Sequence, residues 1–162
     1  MPTLTINGRS VTAPDNATIL DAARAAGINV PTLCWYPKLP TVGSCRICLV
    51  SVEGAAKLQA ACATTAAEGM VVTTESEAAV DNRRSVLSLL LERYPADGLA
   101  EKIEANKGNG RHLNEFEQYL RQYQVVGTPV AEHALALRGG DARPGDPMIQ
   151  HDMSTCILCT RC

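Results

Sequence analysis

Residues 34–62 read CWYPKLPTVGSCRICLVSVEGAAKLQAAC and carry four cysteines in the pattern C-x10-C-x2-C-x13-C. Cys34, Cys45 and Cys48 lie on one loop or at its exit, and Cys62 falls on or beside the following strand. Two irons bridged by two sulfides need four thiolates converging on one point. A loop that brings three, with a fourth arriving from an adjacent strand, meets that need. Gly43 and Ser44 let the backbone approach closely, and amide N–H groups aimed at the sulfurs raise the reduction potential. Other readings fit the same residues. A four-cysteine zinc site is one, although structural zinc sites usually supply two C-x2-C knuckles and only Cys45/Cys48 form one here. A thioredoxin-like redox pair at Cys45/Cys48 is another, although a strand-like apolar run follows it rather than a helix. Unrelated buried thiols are the third.

Working outward, residues 2–14 predict a hairpin. Leu4 and Ile6 alternate with Thr3 and Thr5, Asn7-Gly8 is a tight-turn signal, and Val11 resumes the pattern. Thr18, three residues ahead of Asp21, predicts a capped helix through Ile19, Leu20, Ala23 and Ala26, stopped at Gly27. Ile47–Val52 predicts a strand turning at Glu53-Gly54, Lys57–Ala61 its return, and Gly69–Thr73 a further strand. Two strands, a helix, a cysteine loop and more strands make an α+β domain over residues 1–75.

Beyond Thr74, Ser76 predicts the cap of a helix running to about Arg93, with Val80, Val86, Leu87, Leu90 and Leu91 on its buried side. A weaker helix is expected over 97–106, and Leu113, Phe116, Leu120 and Tyr123 predict a third, so residues 76–126 form a helical region. Residues 127–150 are rich in Gly and Pro and read as a linker, and residues 151–162 hold Cys156, Cys159 and Cys162. His112, His133 and His151 read as surface residues rather than ligands.

The bulk numbers narrow the class. The chain has 162 residues, 46% of them hydrophobic, a net charge of −2, and seven cysteines. The charge argues against a nucleic-acid footprint and for protein partners. No basic-then-apolar leader opens the sequence, and the most apolar run, Val86–Leu91, is far short of a membrane span. A cytoplasmic location is therefore expected, membrane-associated at most through partners. There, patterned cysteines mean metal or redox chemistry more often than disulfides. No catalytic constellation stands out, and Asp21, Glu75, Glu77 and Asp81 read as helix-capping or solvated acids.

The run TILDAARAAGINVPTLCWYPKLPTVGSCRICLVSVEGAAKLQAACATTAAEGMVV, residues 18–72, resembles the N-terminal ferredoxin domain shared by three related proteins. These are the large iron–sulfur subunit of respiratory complex I, the catalytic subunit of NAD-linked formate dehydrogenases, and the small diaphorase subunit of NAD-reducing hydrogenases. The resemblance implies a β-grasp fold and a [2Fe–2S] cluster on Cys34, Cys45, Cys48 and Cys62. In that family the next region carries H-x3-C-x2-C-x5-C, the ligands of a [4Fe–4S] cluster. Here the corresponding positions hold Tyr94, Gly98, Glu101 and Lys107, so the scaffold is expected without its cluster.

Cys156-Ile157-Leu158-Cys159-Thr160-Arg161-Cys162 resembles the opening of a further [4Fe–4S] domain cut at its third cysteine. A fragment or truncated product is expected, with a cubane only in a longer chain or with a partner's ligand. The implied function is single-electron relay within a multi-subunit NAD(P)-linked oxidoreductase. Its partners would be a flavin- and NAD-binding subunit and a catalytic subunit. A free-standing ferredoxin-like carrier and a zinc-stabilised interaction module are the alternatives.

Overall fold

A computed structural model describes residues 1–92, 94, 99–106, 113–125 and 156–161. They fall into two compact units, one within Met1–Val86 joined by the last residues, the other drawn from Leu87–Cys159. The expected linker at 127–150, together with His112, His133, His151 and Cys162, lies outside the described residues.

The first unit is built on a five-stranded mixed sheet. β1 (Thr3–Ile6) and β2 (Arg9–Thr12) form the expected hairpin, in register Leu4↔Val11. Asn7 and Gly8 both take positive φ, +50° and +77°, as this two-residue turn requires. Asn7 also grips the far end of the domain: its Nδ2 donates to Thr74 Oγ1 at 2.8 Å, and its Oδ1 accepts from Thr74 N–H at 2.9 Å. β3 (Leu49–Val52) pairs antiparallel with β4 (Gln59–Ala60). β5 (Val71–Thr73) inserts between the two hairpins, parallel to β1 and antiparallel to β3, giving the order β2-β1-β5-β3-β4.

Helix α1 (Ile19–Ala25) covers this sheet with Ile19, Leu20, Ala22 and Ala23, all buried against Leu4, Ile6, Val50 and Val72. Its start is the expected capping box: Thr18 Oγ1 accepts from Asp21 N–H at 3.1 Å and the Asp21 carboxylate accepts from Thr18 N–H at 3.0 Å. Its end is a Schellman turn at Gly27 (φ +70°), where Ile28 N–H reaches Ala23 O at 2.8 Å and Gly27 N–H reaches Arg24 O at 3.0 Å. Two amides of the first turn, which have no partner inside a helix, bond instead to the stretch around Cys62: Ile19 N–H to Thr64 O and Leu20 N–H to Ala61 O, both at 2.9 Å.

Helices α2 (Glu77–Leu91), α3 (Leu99–Ala105) and α4 (Glu115–Gln122) follow. Ser76 Oγ accepts from Ala79 N–H at 3.3 Å, the expected cap of α2. The buried stripe of α2 differs from the expected one. It runs through Ala79, Arg83, Leu87 and Leu91 at a spacing of four, while Val80, Val86 and Leu90 are only half-buried. Hydrophobicity alone passed over Arg83, which is fully buried because its guanidinium finds polar partners inside the fold. Glu75, expected as a capping or solvated acid, is about half exposed and also pairs with Arg83 at 2.7 Å.

Candidate metal centre

The cysteine loop is shaped by two left-handed residues on either side of Ser44-Cys45: Gly43 at φ +66° and Arg46 at φ +58°. They bend the chain so that Cys45 follows closely on Cys34, and the thiols of these two residues hydrogen-bond to each other. Cys48 and Cys62 are brought together by a different device. The β3–β4 register pairs Leu49 with Ala60, so Cys48 and Cys62 sit just outside the paired residues at the same end. Their Sγ atoms are 3.4 Å apart. Two thiolates on one tetrahedral metal lie roughly 3.8 Å apart if metal–sulfur bonds are about 2.3 Å. The four sulfurs thus form two pairs, Cys34/Cys45 and Cys48/Cys62. The charges of Cys48, Cys34 and Cys45 all act on Cys62.

Backbone amides point at these sulfurs. Cys34 accepts from the N–H groups of Cys45 and Ser44, Cys45 from those of Ile47, Cys34 and Leu33, and Cys48 from that of Cys62. The directions follow from the planar peptide, in which C=O and N–H point opposite ways. The carbonyl of Arg46 is drawn to Asn82 Nδ2 at 2.9 Å, which turns the Ile47 N–H toward Cys45. The carbonyl of Ala61 is drawn to Leu20 N–H, which turns the Cys62 N–H toward Cys48.

The ionisation of the thiols reflects this crowding. Cys48 is lowered to about 6, chiefly by the hydrogen bond shared with Cys62 and against the cost of burial. Cys62 is pushed far up by that same bond, then by burial and by the neighbouring sulfur charges. At Cys34, burial opposes ionisation but the bonds from Cys45 and Ser44 outweigh it, so the thiol is lowered. At Cys45, burial prevails and the thiol is raised. Two sulfurs 3.4 Å apart, as in Cys48 and Cys62, can both be thiolates only with positive charge beside them, which bound metal supplies. The donor set, paired and met by N–H groups, fits a bridged two-iron cluster.

The sequence pattern did not reveal the polar clamp behind this loop. Arg83 Nε donates to Ile47 O at 3.3 Å, and its Nη2 donates to Leu49 O at 3.4 Å and to Thr74 O at 2.7 Å. Arg24 stacks over the Trp35 ring, 4.1 Å from its centroid, and Arg161 Nη2 donates to Thr32 O at 3.2 Å. On the loop itself Tyr36, Leu39 and Val42 are exposed.

In the second unit, Tyr94 is a buried hydrogen-bonding side chain. Its hydroxyl donates to Glu117 Oε1 at 2.9 Å and accepts from Asn114 Nδ2 at 2.8 Å, and its ring packs 5.0 Å from that of Phe116. Glu117 also accepts from Lys102 Nζ at 2.7 Å and from Asn114 N–H at 3.1 Å. Glu101 is exposed, and Gly98 and Lys107 lie outside the described residues. Cys156 and Cys159 are half-buried, and Leu158 N–H approaches Cys156 Sγ at 3.4 Å.

Comparison with known proteins bears on the first unit directly. Residues 1–77 match the 2Fe-2S iron-sulfur cluster binding domain. This segment belongs to that family. The 2Fe-2S domain and the residues after it are together similar to the alpha subunit of an NADPH-Fe(3+) oxidoreductase from Geobacter sulfurreducens, 33% identical over the whole chain and 18% of the relative. A subunit of an NADP-reducing hydrogenase from Solidesulfovibrio fructosivorans is 35% identical over the whole chain and 27% of its own length. The mitochondrial 78 kDa subunit of an NADH-ubiquinone oxidoreductase from Candida albicans is 34% identical over 98% of the chain and 21% of its own length. The chain therefore spans 18% to 27% of these relatives' length. A crystal structure of an NAD+-reducing [NiFe]-hydrogenase aligns with a TM-score of 0.54 and 32% identity, covering 70% of this chain and 52% of that one. Among the described residues, no helix is long and apolar enough to cross a membrane.

Proposed function

We propose that Cys34, Cys45, Cys48 and Cys62 hold a [2Fe–2S] cluster and that the chain relays single electrons within a multi-subunit NAD(P)-linked oxidoreductase. The observation that carries this is the pairing of the four sulfurs, two by two, under amides that donate to them. When bound, the cluster takes up and releases one electron at a time. The protein's own part is to fix the sulfurs, to place N–H dipoles that favour the reduced charge, and to bury the centre beneath the loop.

On this reading, residues 1–75 are a β-grasp ferredoxin domain and residues 76–126 keep a helical scaffold in which Tyr94, Gly98, Glu101 and Lys107 stand where cluster ligands would. Cys156, Cys159 and Cys162 supply three ligands of a [4Fe–4S] motif, which only a longer chain or a partner's ligand would complete. The partner docks on the cysteine loop, by its exposed Tyr36, Leu39 and Val42. The stretch from Ala22 to Val52 holds Arg24, Lys38 and Arg46 and no acidic residue, in a chain of net charge −2. The facing surface is therefore that of an acidic redox subunit. A reducing, cytosolic setting suits the thiolates.

The test is anaerobic purification with quantification of iron and acid-labile sulfide and EPR of the reduced sample. About two irons and two sulfides per chain are expected. Single Ser substitutions at Cys34, Cys45, Cys48 and Cys62 should each reduce them. A colourless protein with one zinc, or iron untouched by all four substitutions, overturns the assignment.

A further inference from the structure

The four-cysteine reading leaves unexplained why an arginine occupies the interior. Arg83 is 0% exposed, and the described contacts of its guanidinium include three backbone carbonyls and one carboxylate. Two of those carbonyls, from Ile47 and Leu49, flank Cys48 in sequence. The preceding carbonyl, from Arg46, is held by the neighbouring helical residue Asn82. One turn of α2 therefore draws a run of loop carbonyls to its own side. Each carbonyl drawn back turns the following N–H forward, since the peptide is planar and trans. The Arg46 carbonyl governs the Ile47 amide that donates to Cys45, and the Ile47 carbonyl governs the amide of Cys48 itself.

The same side chain also brings a charge. A guanidinium stays protonated, so a full positive charge sits in the interior next to the backbone of a ligand residue. Its acidic partner Glu75 is 51% exposed, so solvent screens the carboxylate more than the guanidinium. The imbalance leaves positive potential on the side of Cys48. Reduction adds negative charge to the centre, which that potential favours.

We propose that Arg83, supported by Asn82, is a positioning residue for the metal centre: it orients the amides that meet the cysteine sulfurs and, against a screened Glu75, sets a higher reduction potential. This rests on the four-cysteine reading of the site. It implies opposite effects for the two members of one ion pair. Removing the guanidinium lowers the potential, and removing the carboxylate charge raises it. A purely structural ion pair would not produce that opposition, because breaking it from either side loosens the same contact.

The experiment is an EPR-monitored redox titration of the holo chain as wild type, Arg83→Met, Arg83→Lys, Glu75→Gln and Asn82→Ala, each with its iron count. In Arg83→Met the reduced-to-oxidised ratio at the wild-type midpoint should fall about tenfold, equivalent to about 59 mV for a one-electron couple. Arg83→Lys, which keeps the charge without the fork, should recover part of that fall. Glu75→Gln should shift the ratio the other way, by a smaller factor. In the cluster-free chain, amide exchange at Ile47 and Cys48 should quicken in Arg83→Met and Asn82→Ala. A wild type without two irons defeats the four-cysteine reading itself. Two irons in the wild type with no shift in Glu75→Gln, or shifts of the same sign in Glu75→Gln and Arg83→Met, overturn the role of Arg83. Since Glu75→Gln keeps an acceptor oxygen for Arg83 at a half-exposed position, its result decides the matter even if Arg83→Met does not fold.

Discussion

Glu117 offers a sharp test of what the second unit is for. Its carboxylate is almost fully buried and receives Tyr94, Lys102 and the Asn114 amide. Truncation by Glu117→Ala leaves the Tyr94 hydroxyl and the Asn114 N–H without this acceptor. An orphaned buried polar group costs about 1–3 kcal/mol. Tyr94 is such a group, whereas Asn114 is exposed and water can meet its N–H, so the loss is about 1–3 kcal/mol, with about 2 as a working value. Lys102 is 43% exposed, so its ion pair adds less than about 1 kcal/mol. Glu117→Gln keeps an acceptor oxygen and gives up the charge, and should cost roughly half as much. Native-state hydrogen exchange over residues 113–124 reads this locally. At 1.4 kcal/mol per factor of ten, exchange should accelerate about thirtyfold in Glu117→Ala. Iron content and the midpoint of the N-terminal centre should stay at wild-type values. Acceleration of less than about fivefold would refute the energetic account. Loss of iron in Glu117→Ala would refute the view that Tyr94 and Glu117 form a scaffold rather than a ligand site.

Other outcomes follow from the same structure. Thr18→Ala removes half of the capping box of α1 and should cost about 1 kcal/mol, read as roughly fivefold faster exchange of the α1 amides. An unchanged rate would mean that Ala61 O and Thr64 O hold the helix start unaided. Charge reversal by Lys38→Glu with Arg46→Glu should slow oxidation of the reduced chain by anionic ferricyanide about tenfold at low salt and quicken it with a cationic cobalt hexaammine. Equal responses to both oxidants would show that the loop charges do not steer the partner.

Much of this arrangement is legible in the sequence, for local reasons. The hairpin at Asn7-Gly8, the box at Thr18/Asp21 and the stop at Gly27 are short-range signals whose geometry depends on a few neighbouring residues. Strand ends moved because pairing, not propensity, sets them: Ile47 and Cys48 read as strand but precede β3, their backbone engaged by the sulfurs and by Arg83. The C-x2-C loop was legible as a set of donors, and its division into two pairs required the β3–β4 register. Arg83 and the Tyr94–Glu117 network were not legible. A charged residue on an amphipathic helix, or a tyrosine just past its end, is normally assigned to the solvent side, and only partners at Ile47, Thr74 or Asn114 reverse that assignment. In both places the interior is polar because its groups satisfy one another.

The central strand of the sheet is also the last to be made. β5 is flanked by β1 and β3, so until Val71–Thr73 leaves the ribosome the two hairpins have no common floor. The four cysteines of the site have been translated by then, ending with Cys62. For that interval the nascent polypeptide carries the four thiols of the site before the tertiary structure that shelters them exists. Vectorial synthesis thus creates a window in which oxidants, or a cluster-delivery factor, meet the sulfurs in the open.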